Sequence, residues 1–139
     1  MPQTVTPFLM FQGAAADALA LYTRVFPDAR VAHLDPYGPE DGAAAGLIRG
    51  ATLHLAGGLT VRVSDSPVPH AFTFTPSSSL FVDCTDGAEF EALYAGLSEG
   101  GGVLMPPADY GFSARFAWVN DPYGVSWQLN VPHPPEPGA

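Results

Sequence analysis

The side chains that could do chemistry in this chain of 139 residues are few and scattered. No two of the four histidines have the spacing that a metal site on one strand or helix requires. His54 shares its strand parity with Thr52, so it could be a general base facing a cleft or an ordinary half-buried histidine. Cys84 lies between Asp83 and Asp86, whose charges are expected to raise its pKa, and it is therefore predicted to be a small core residue. No residue is predicted to be catalytic on these grounds.

Two of the five arginines lie in the middle of predicted strands. Lysine is absent, so the arginines carry all of the permanent positive charge of the side chains. Arg62 and Arg115 lie among apolar residues, where a guanidinium group needs an anionic partner. That partner would be a carboxylate or phosphate of a ligand, held in bidentate fashion, or an aspartate of the chain such as Asp65, Asp83 or Asp109. The residues alone allow both interpretations.

The charge balance excludes two classes of partner. With 14 acidic residues against five arginines the net charge is −9, so the chain has little with which to neutralise nucleic-acid phosphates or an anionic membrane. No apolar run reaches the roughly 18 residues of a membrane-spanning helix. A single cysteine cannot form an internal disulfide, which is typical of the reducing cytoplasm, the predicted location.

The chain repeats itself at an offset of 72 residues, which aligns residues 16–22 with 88–94 and residues 8–10 with 80–82. Each copy has the pattern of one strand, one helix and three strands, so we predict a duplicated βαβββ module and an α+β fold. The predicted organisation is a first module over residues 1–65, a linker over 66–77, a second module over 78–131 and a disordered tail over 132–139.

The elements of each copy follow from hydrophobic periodicity and from the turns that glycine and proline, 15 of each, punctuate. Helices are predicted over residues 14–25 and 86–98, the second with Asp86 as its N-cap. Strands are predicted over residues 5–11, 29–35, 46–55, 59–65, 78–84, 103–106, 112–120 and 125–131.

A single helix can cover only one face of the sheet in its module, and alternation along each strand assigns side chains to the two faces. Arg62 points away from the apolar side of its strand, as Gln128 does in the last strand. In the two first strands, the assignment gives Phe8, Met10, Leu80, Val82 and Cys84 to the helix-covered side and Leu9, Phe11, Phe81 and Asp83 to the open side.

The open faces combine aromatic, hydroxyl, amide and guanidinium groups, which is typical of a small-molecule pocket, although a solvated sheet face is the alternative. We expect Arg62 and Gln128 to line the main cavity. The candidate ligand-binding residues are Arg62, Gln128, Thr60, Ser126, His54, Arg115 and Phe81. Aromatic residues that could stack on a planar ligand, or belong to the core or a dimer contact, are Trp118, Trp127, Tyr110 and Phe112.

Three segments, Thr6–Phe11, Ala20–Val31 and Asn120–Leu129, are similar to the vicinal oxygen chelate superfamily of glyoxalase I, bleomycin resistance proteins and extradiol dioxygenases. The chain resembles above all the PhnB-like branch, also labelled 3-demethylubiquinone-9 3-methyltransferase-like. The resemblance implies a glyoxalase-like fold, in which paired modules with curled mixed sheets form a cleft, and a homodimer. It leaves open whether the modules pair within one chain or across the dimer. The methyltransferase label gains no support, because no glycine-rich strand-loop-helix for a nucleotide-like cofactor is present.

The resemblance also bears on metal binding. Metal-dependent members of the superfamily take ligands from the first and last strands of each module, and these positions correspond to Pro7, Arg62, Ser79 and Gln128. None of the four is a good ligand for a divalent cation, and the arginine would repel it. We therefore expect no metal and no other cofactor.

Three functional hypotheses follow. The first is a metal-free, PhnB-like homodimer that binds a small anionic or aromatic ligand in a cleft. The second is an isomerase, lyase or oxygenase whose metal site uses other residues, such as His54, Asp65 or Asp83. The third is a resistance-type protein that sequesters a drug without chemistry.

Overall fold

Each half of the chain folds into one α-helix and one four-stranded mixed sheet, in a computed structural model that describes residues 2–134. The chain divides into two compact units between Thr73 and Phe74. The α+β class is confirmed. Residues 135–139 of the predicted tail lie outside the described residues. No helix of residues 2–134 is long and apolar enough to span a membrane.

The first unit has its sheet in the order β1-β4-β3-β2, with β1 parallel to β4 and the other pairs antiparallel. A short 3₁₀-helix, Pro39–Ala44, occupies part of the region predicted as a loop, and it begins with a proline, whose fixed φ suits a first helical position. The elements are β1 (Phe8–Phe11), α1 (Ala15–Val25), β2 (Arg30–Pro36), β3 (Ile48–His54) and β4 (Thr60–Asp65).

Helix α1 begins without a capping side chain of its own, and a distant carboxylate supplies the missing acceptor. Its N-cap residue is Ala14, which has no side-chain oxygen. Asp65, at the end of β4, accepts hydrogen bonds at Oδ1 from the backbone N–H groups of Gly13 (2.9 Å) and Ala15 (3.0 Å). Its Oδ2 accepts from the N–H of Ile48 at 3.0 Å. One buried carboxylate therefore joins the start of the helix to β3 and β4.

The second unit repeats the arrangement with the sheet order β5-β8-β7-β6. Helix α2 has the N-cap predicted for it: Asp86 Oδ1 accepts from Glu89 N–H at 2.9 Å, and Glu89 Oε1 accepts from Thr85 N–H at 3.1 Å. The elements are β5 (Ser79–Asp83), α2 (Gly87–Ser98), β6 (Gly102–Ala108), β7 (Arg115–Asn120) and β8 (Ser126–Val131).

The first strand of the first unit faces the opposite way from the prediction. Phe8, assigned to the helix-covered side with Met10, pairs with Arg62 and is 54% exposed. Phe11, assigned to the open side with Leu9, is buried. The face assignment was therefore wrong for β1.

The error arises from the repeat offset. The offset of 72 relates the helix starts, Ala15 and Gly87, but not the faces of the first strands. In β5 the prediction holds, because Leu80 pairs with the fully buried Trp127. Since side chains alternate along a strand, a shift of one residue between strand and helix exchanges the two faces.

Candidate functional site

The sheet of the first unit leaves one face uncovered, and we call it the first open face. Across β1, β4, β3 and β2, register places Phe8, Arg62, Thr52 and His33 in one row. The next row holds Thr60, His54 and Arg30, with His54 Nδ1 2.9 Å from Thr60 Oγ1. The two arginines and His33 are exposed, whereas His54 and the threonines are half-buried.

The presence of both Arg30 and His33 on this face depends on a bulge in β2. The register shifts between Val31 and His33, so Ala32 has no direct partner on β3. Residues three apart in a regular strand point to opposite faces, and the extra residue brings these two to the same side. Sequence alternation offered no sign of the bulge, and neither residue was predicted as a site residue.

The arginines of the first open face lack an ion pair within residues 2–134. Arg49 lies 3.2 Å from Asp41 and Arg115 lies 2.7 Å from Glu91. No carboxylate in residues 2–134 lies within ion-pair distance of the guanidinium groups of Arg30 or Arg62. The aspartates considered from the sequence, Asp65, Asp83 and Asp109, therefore do not form an ion pair with Arg62.

The second open face, on the sheet of the second unit, has a different chemistry. Its rows run across β7, β8 and β5, and the middle row is Trp118, Gln128 and Phe81. Phe81 is 55% exposed, and its ring centroid lies 6.3 Å from that of Phe116 in the neighbouring row. The other members are Asn120, Ser126 and Ser79 on one side and Phe116, Asn130 and Asp83 on the other.

The loop before β7 adds aromatic rings to the second open face. Phe112 packs edge-on against Phe116 at 4.9 Å, and Tyr110 lies 6.1 Å from both. Phe112 is 61% exposed. Two predicted stacking residues therefore belong to an exposed cluster. Trp127 does not, because it is fully buried and its indole N–H donates to Asp121 Oδ2 at 3.0 Å.

A chain of hydrogen bonds occupies the hydroxyl groups of the second open face. The indole N–H of Trp118 donates to Ser126 Oγ at 2.7 Å, and Ser126 Oγ lies 2.8 Å from Ser79 Oγ. Ser79 Oγ in turn donates to the carbonyl of Pro76 at 3.2 Å. Because that proton is committed to Pro76, the hydroxyl of Ser126 is the donor to Ser79. Ser126 is 1% exposed, so this predicted site residue is a buried link in the chain.

Arg115 is not on the second open face. It pairs with Val131 and lies on the side of α2, where its guanidinium group is 5.3 Å from the ring centroid of Phe90. Its Nε donates to Glu91 Oε1 at 2.8 Å. The partner is a helix glutamate rather than any of the three aspartates considered from the sequence.

Cys84 is buried, and burial is the largest cause that raises the pKa of its thiol from the ordinary 9.0 to about 11. The charge of Glu89 adds to this effect, and those of Asp83 and Asp86 follow. The expected direction is confirmed, although burial outweighs the acidic neighbours.

A shallow depression lies beside the turn between β3 and β4. Asp28, His54 and Gly57 are among the residues that line it, whereas Arg62 and Gln128 are not. Of the predicted ligand-binding residues, His54 lines this depression and the other six do not.

The chain matches the profile of the 3-demethylubiquinone-9 3-methyltransferase family over residues 3–130. It belongs to this family. PhnB protein from Bacillus cereus is 40% identical, with a TM-score of 0.88 over 93% of this chain and 99% of that one. Protein PA1353 from Pseudomonas aeruginosa is 26% identical, with a TM-score of 0.80 over 94% and 98%. No curated protein sequence matched.

More distant structures show the same fold. A glyoxylase/bleomycin resistance protein/dioxygenase domain from Frankia is 14% identical, with a TM-score of 0.65 over 96% of this chain and 99% of that one. The fosfomycin resistance protein FosX from Listeria monocytogenes, solved with Mn(II), is 10% identical, with a TM-score of 0.61 over 96% and 95%. These structural similarities show that this PhnB-like chain has the glyoxalase-like fold.

The positions at which metal-dependent members of the superfamily place ligands do not fit a divalent cation here. Arg62 brings a positive charge, and its backbone N–H donates to the carbonyl of Pro7 at 2.9 Å. Ser79 is engaged in the hydroxyl chain, and Gln128 offers only a neutral amide. This set of side chains is unsuited to holding a divalent cation.

The alternative ligand set has no support in residues 2–134, where no three His, Cys, Asp or Glu side chains are grouped as a metal site. Both carboxylate oxygens of Asp65 accept backbone hydrogen bonds. Asp83 Oδ1 accepts from the amide of Asn130 at 2.9 Å.

Proposed function

We propose that this PhnB-like protein binds a small anionic or aromatic ligand on its open sheet faces, without a metal, as a homodimer. The observation that carries the proposal is Arg62. It occupies a position used for metal coordination elsewhere in the superfamily, yet it is exposed and has no carboxylate partner in the described residues. A guanidinium group in this place suits an anionic ligand rather than a cation.

The proposal of a dimer rests on exposed apolar surface. Phe8 and Phe81 are both more than half exposed on their faces, and such surface is commonly covered by a ligand or a second copy. Light scattering after size exclusion is expected to give twice the mass of the chain. A monomer at micromolar concentration would contradict this part of the proposal.

The lone reduced Cys84 suits a cytoplasmic location.

Metal analysis tests the central claim. Protein purified without chelator is expected to hold far less than one metal ion per chain, and a chelator should leave its melting temperature unchanged. Stoichiometric metal whose removal lowers the melting temperature would overturn the metal-free proposal and favour the metal-dependent enzyme.

Sequestration of a drug without turnover is the second candidate. The exposed cluster of Tyr110, Phe112 and Phe81 favours it, because aromatic rings stack on planar ligands. Tight binding of a planar drug with quantitative recovery of the unchanged compound would support this function. Formation of a product would rule it out.

A further inference from the structure

We propose that the first open face is an oxyanion-binding site, in which Arg62 and Arg30 together hold a carboxylate or phosphate group of the ligand. The inference rests on the proposed ligand-binding function and narrows it to an acidic ligand bound by one sheet. The bulge in β2 brings Arg30 and His33 to the same face.

The register places the two guanidinium groups on either side of a polar centre. Arg62 is on β4 and Arg30 is two strands away on β2, one row further along. Given strand spacing near 4.8 Å and a rise near 3.4 Å per residue, their Cα atoms lie about 12 Å apart. Between them are Thr52 and His54, whose side chains can donate hydrogen bonds to an oxyanion. Two long arginine side chains can converge on one group over this centre.

Arg24, Arg30 and Arg62 have no ion-pair partner in residues 2–134, and of these three only Arg30 and Arg62 share a sheet face. The chain has almost three acidic residues for each arginine, so carboxylates to neutralise an arginine are plentiful. Asp35 points to the same face by register, but its Oδ2 pairs with a guanidinium nitrogen of Arg49 at 4.0 Å. Two arginines that have no carboxylate partner among the described residues, on one sheet face of a chain with net charge −9, form a local positive site.

The same face offers a surface for an apolar part of the ligand. Phe8 is the direct neighbour of Arg62 across β1 and β4, and just over half of it is exposed. A ring attached to the anionic group can lie against this phenylalanine while the guanidinium holds the oxygens. The ligand class is therefore a small organic acid or phosphate ester with an apolar substituent.

The test is an NMR titration of the arginine Nε–H signals with inorganic phosphate, phenyl phosphate, acetate and benzoate at constant ionic strength. The signals of Arg62 and Arg30 are expected to shift together and to saturate. Arg62→Gln and Arg30→Gln should each weaken binding by about tenfold or more, because each removes a charge-assisted contact. Arg24→Gln, an equal change of charge on exposed α1, is the matched control and should leave the affinity within about twofold.

The ligand series distinguishes the chemistry of the bound group. Tighter binding of phenyl phosphate identifies a phosphate site and tighter binding of benzoate a carboxylate site, and either supports the proposal. The phenyl compounds should bind more tightly than the inorganic ion or acetate, and Phe8→Ala should remove that advantage. Absence of a saturable shift at Arg62 and Arg30, or equal weakening by Arg24→Gln, would overturn the proposal.

Failure here is separable from failure of the proposed function. Planar neutral probes that shift signals of the second open face, with no anion bound by the first, would leave ligand binding intact and refute only the anion site. Stoichiometric metal together with arginine-dependent anion binding would refute only the metal-free claim.

Discussion

The two open faces belong to sheets of the same topology, but the first carries basic side chains and the second carries aromatic and neutral polar ones. Arg62 lies on β4 and Gln128 on β8, which is the second strand of its sheet in each case. Each lies beside an exposed phenylalanine on the first strand, Phe8 or Phe81. Around Arg62 are threonines, histidines and a second arginine, whereas around Gln128 are aromatic rings, serines and asparagines. The helix-covered faces are mainly apolar in both units, with Asp65 in the first and Arg115 in the second as charged exceptions. Packing against the helix therefore restricts the covered faces of both units to similar residue types, whereas the open faces differ in chemistry.

The two helix caps give the largest expected difference between the units. Asp65→Ala removes three hydrogen bonds, two of them buried, and is expected to destabilise the protein by about 3–4 kcal/mol, since it leaves the buried N–H groups of Ala15 and Ile48 unpaired. Asp86→Ala removes one exposed cap and should cost about 1 kcal/mol. Urea unfolding of both variants checks the contrast. Equal losses would show that the remote carboxylate is not the stronger cap.

The buried thiol of Cys84 gives a pH-dependent effect, and the first unit has no cysteine to match it. The pKa of Cys84 is raised to about 11 on folding. The contribution of the neutral thiol to the free energy of unfolding is therefore complete below pH 9 and is lost as the pH rises through 11. The loss should be on the order of 2 kcal/mol relative to Cys84→Ala. Unfolding at pH 8 to 11 measures it. Identical pH dependence in the two proteins would contradict the burial of the thiol as the cause.

The hydroxyl chain of the second open face should matter more than its counterpart in the first. Ser126→Ala leaves the Trp118 indole N–H without its acceptor and should cost about 1–2 kcal/mol. Thr60→Val removes a half-buried contact with His54 and should cost less than about 1 kcal/mol. Thermal unfolding compares them, and a larger loss for Thr60→Val would reverse the ranking of the two faces.

The smallest effects are expected for the arginines. Arg115→Gln breaks a pair whose side chains are 41% and 55% exposed, and it should cost less than about 1 kcal/mol. Arg62→Gln should not lower stability at all, because it breaks no ion pair within the described residues. A marked loss of stability in Arg62→Gln would reveal a structural role and argue against a ligand site.

Most elements were predictable because hydrophobic periodicity specifies them locally. The helices and all eight strands lie within a few residues of their expected places. The 3₁₀-helix at Pro39–Ala44 was missed, because it buries no residue and so carries no periodic signal. Arg115 stood between two interpretations, because the sequence did not show that Glu91 on α2 packs beside it.

The site was only partly predictable for two physical reasons. A shift of one residue reverses every side chain of a strand, and this reversed the assignment of Phe8. The bulge at Ala32 breaks the alternation from which the strand faces were predicted. The sequence therefore did not show that Arg30 and His33 share a face. Thr60, His54 and Arg62 lie on the face predicted for them because β4 and the end of β3 pair without irregularity.

The remote cap of α1 has a consequence for the order in which helix and sheet form within each unit. The carboxylate that completes α1 is 50 residues downstream of the helix start, whereas the cap of α2 is within one turn. A nascent chain can therefore close the first turn of α2 as soon as that segment leaves the ribosome, but α1 must wait until β4 has been synthesised. In the first copy the sheet completes the helix, and in the second the helix can lead.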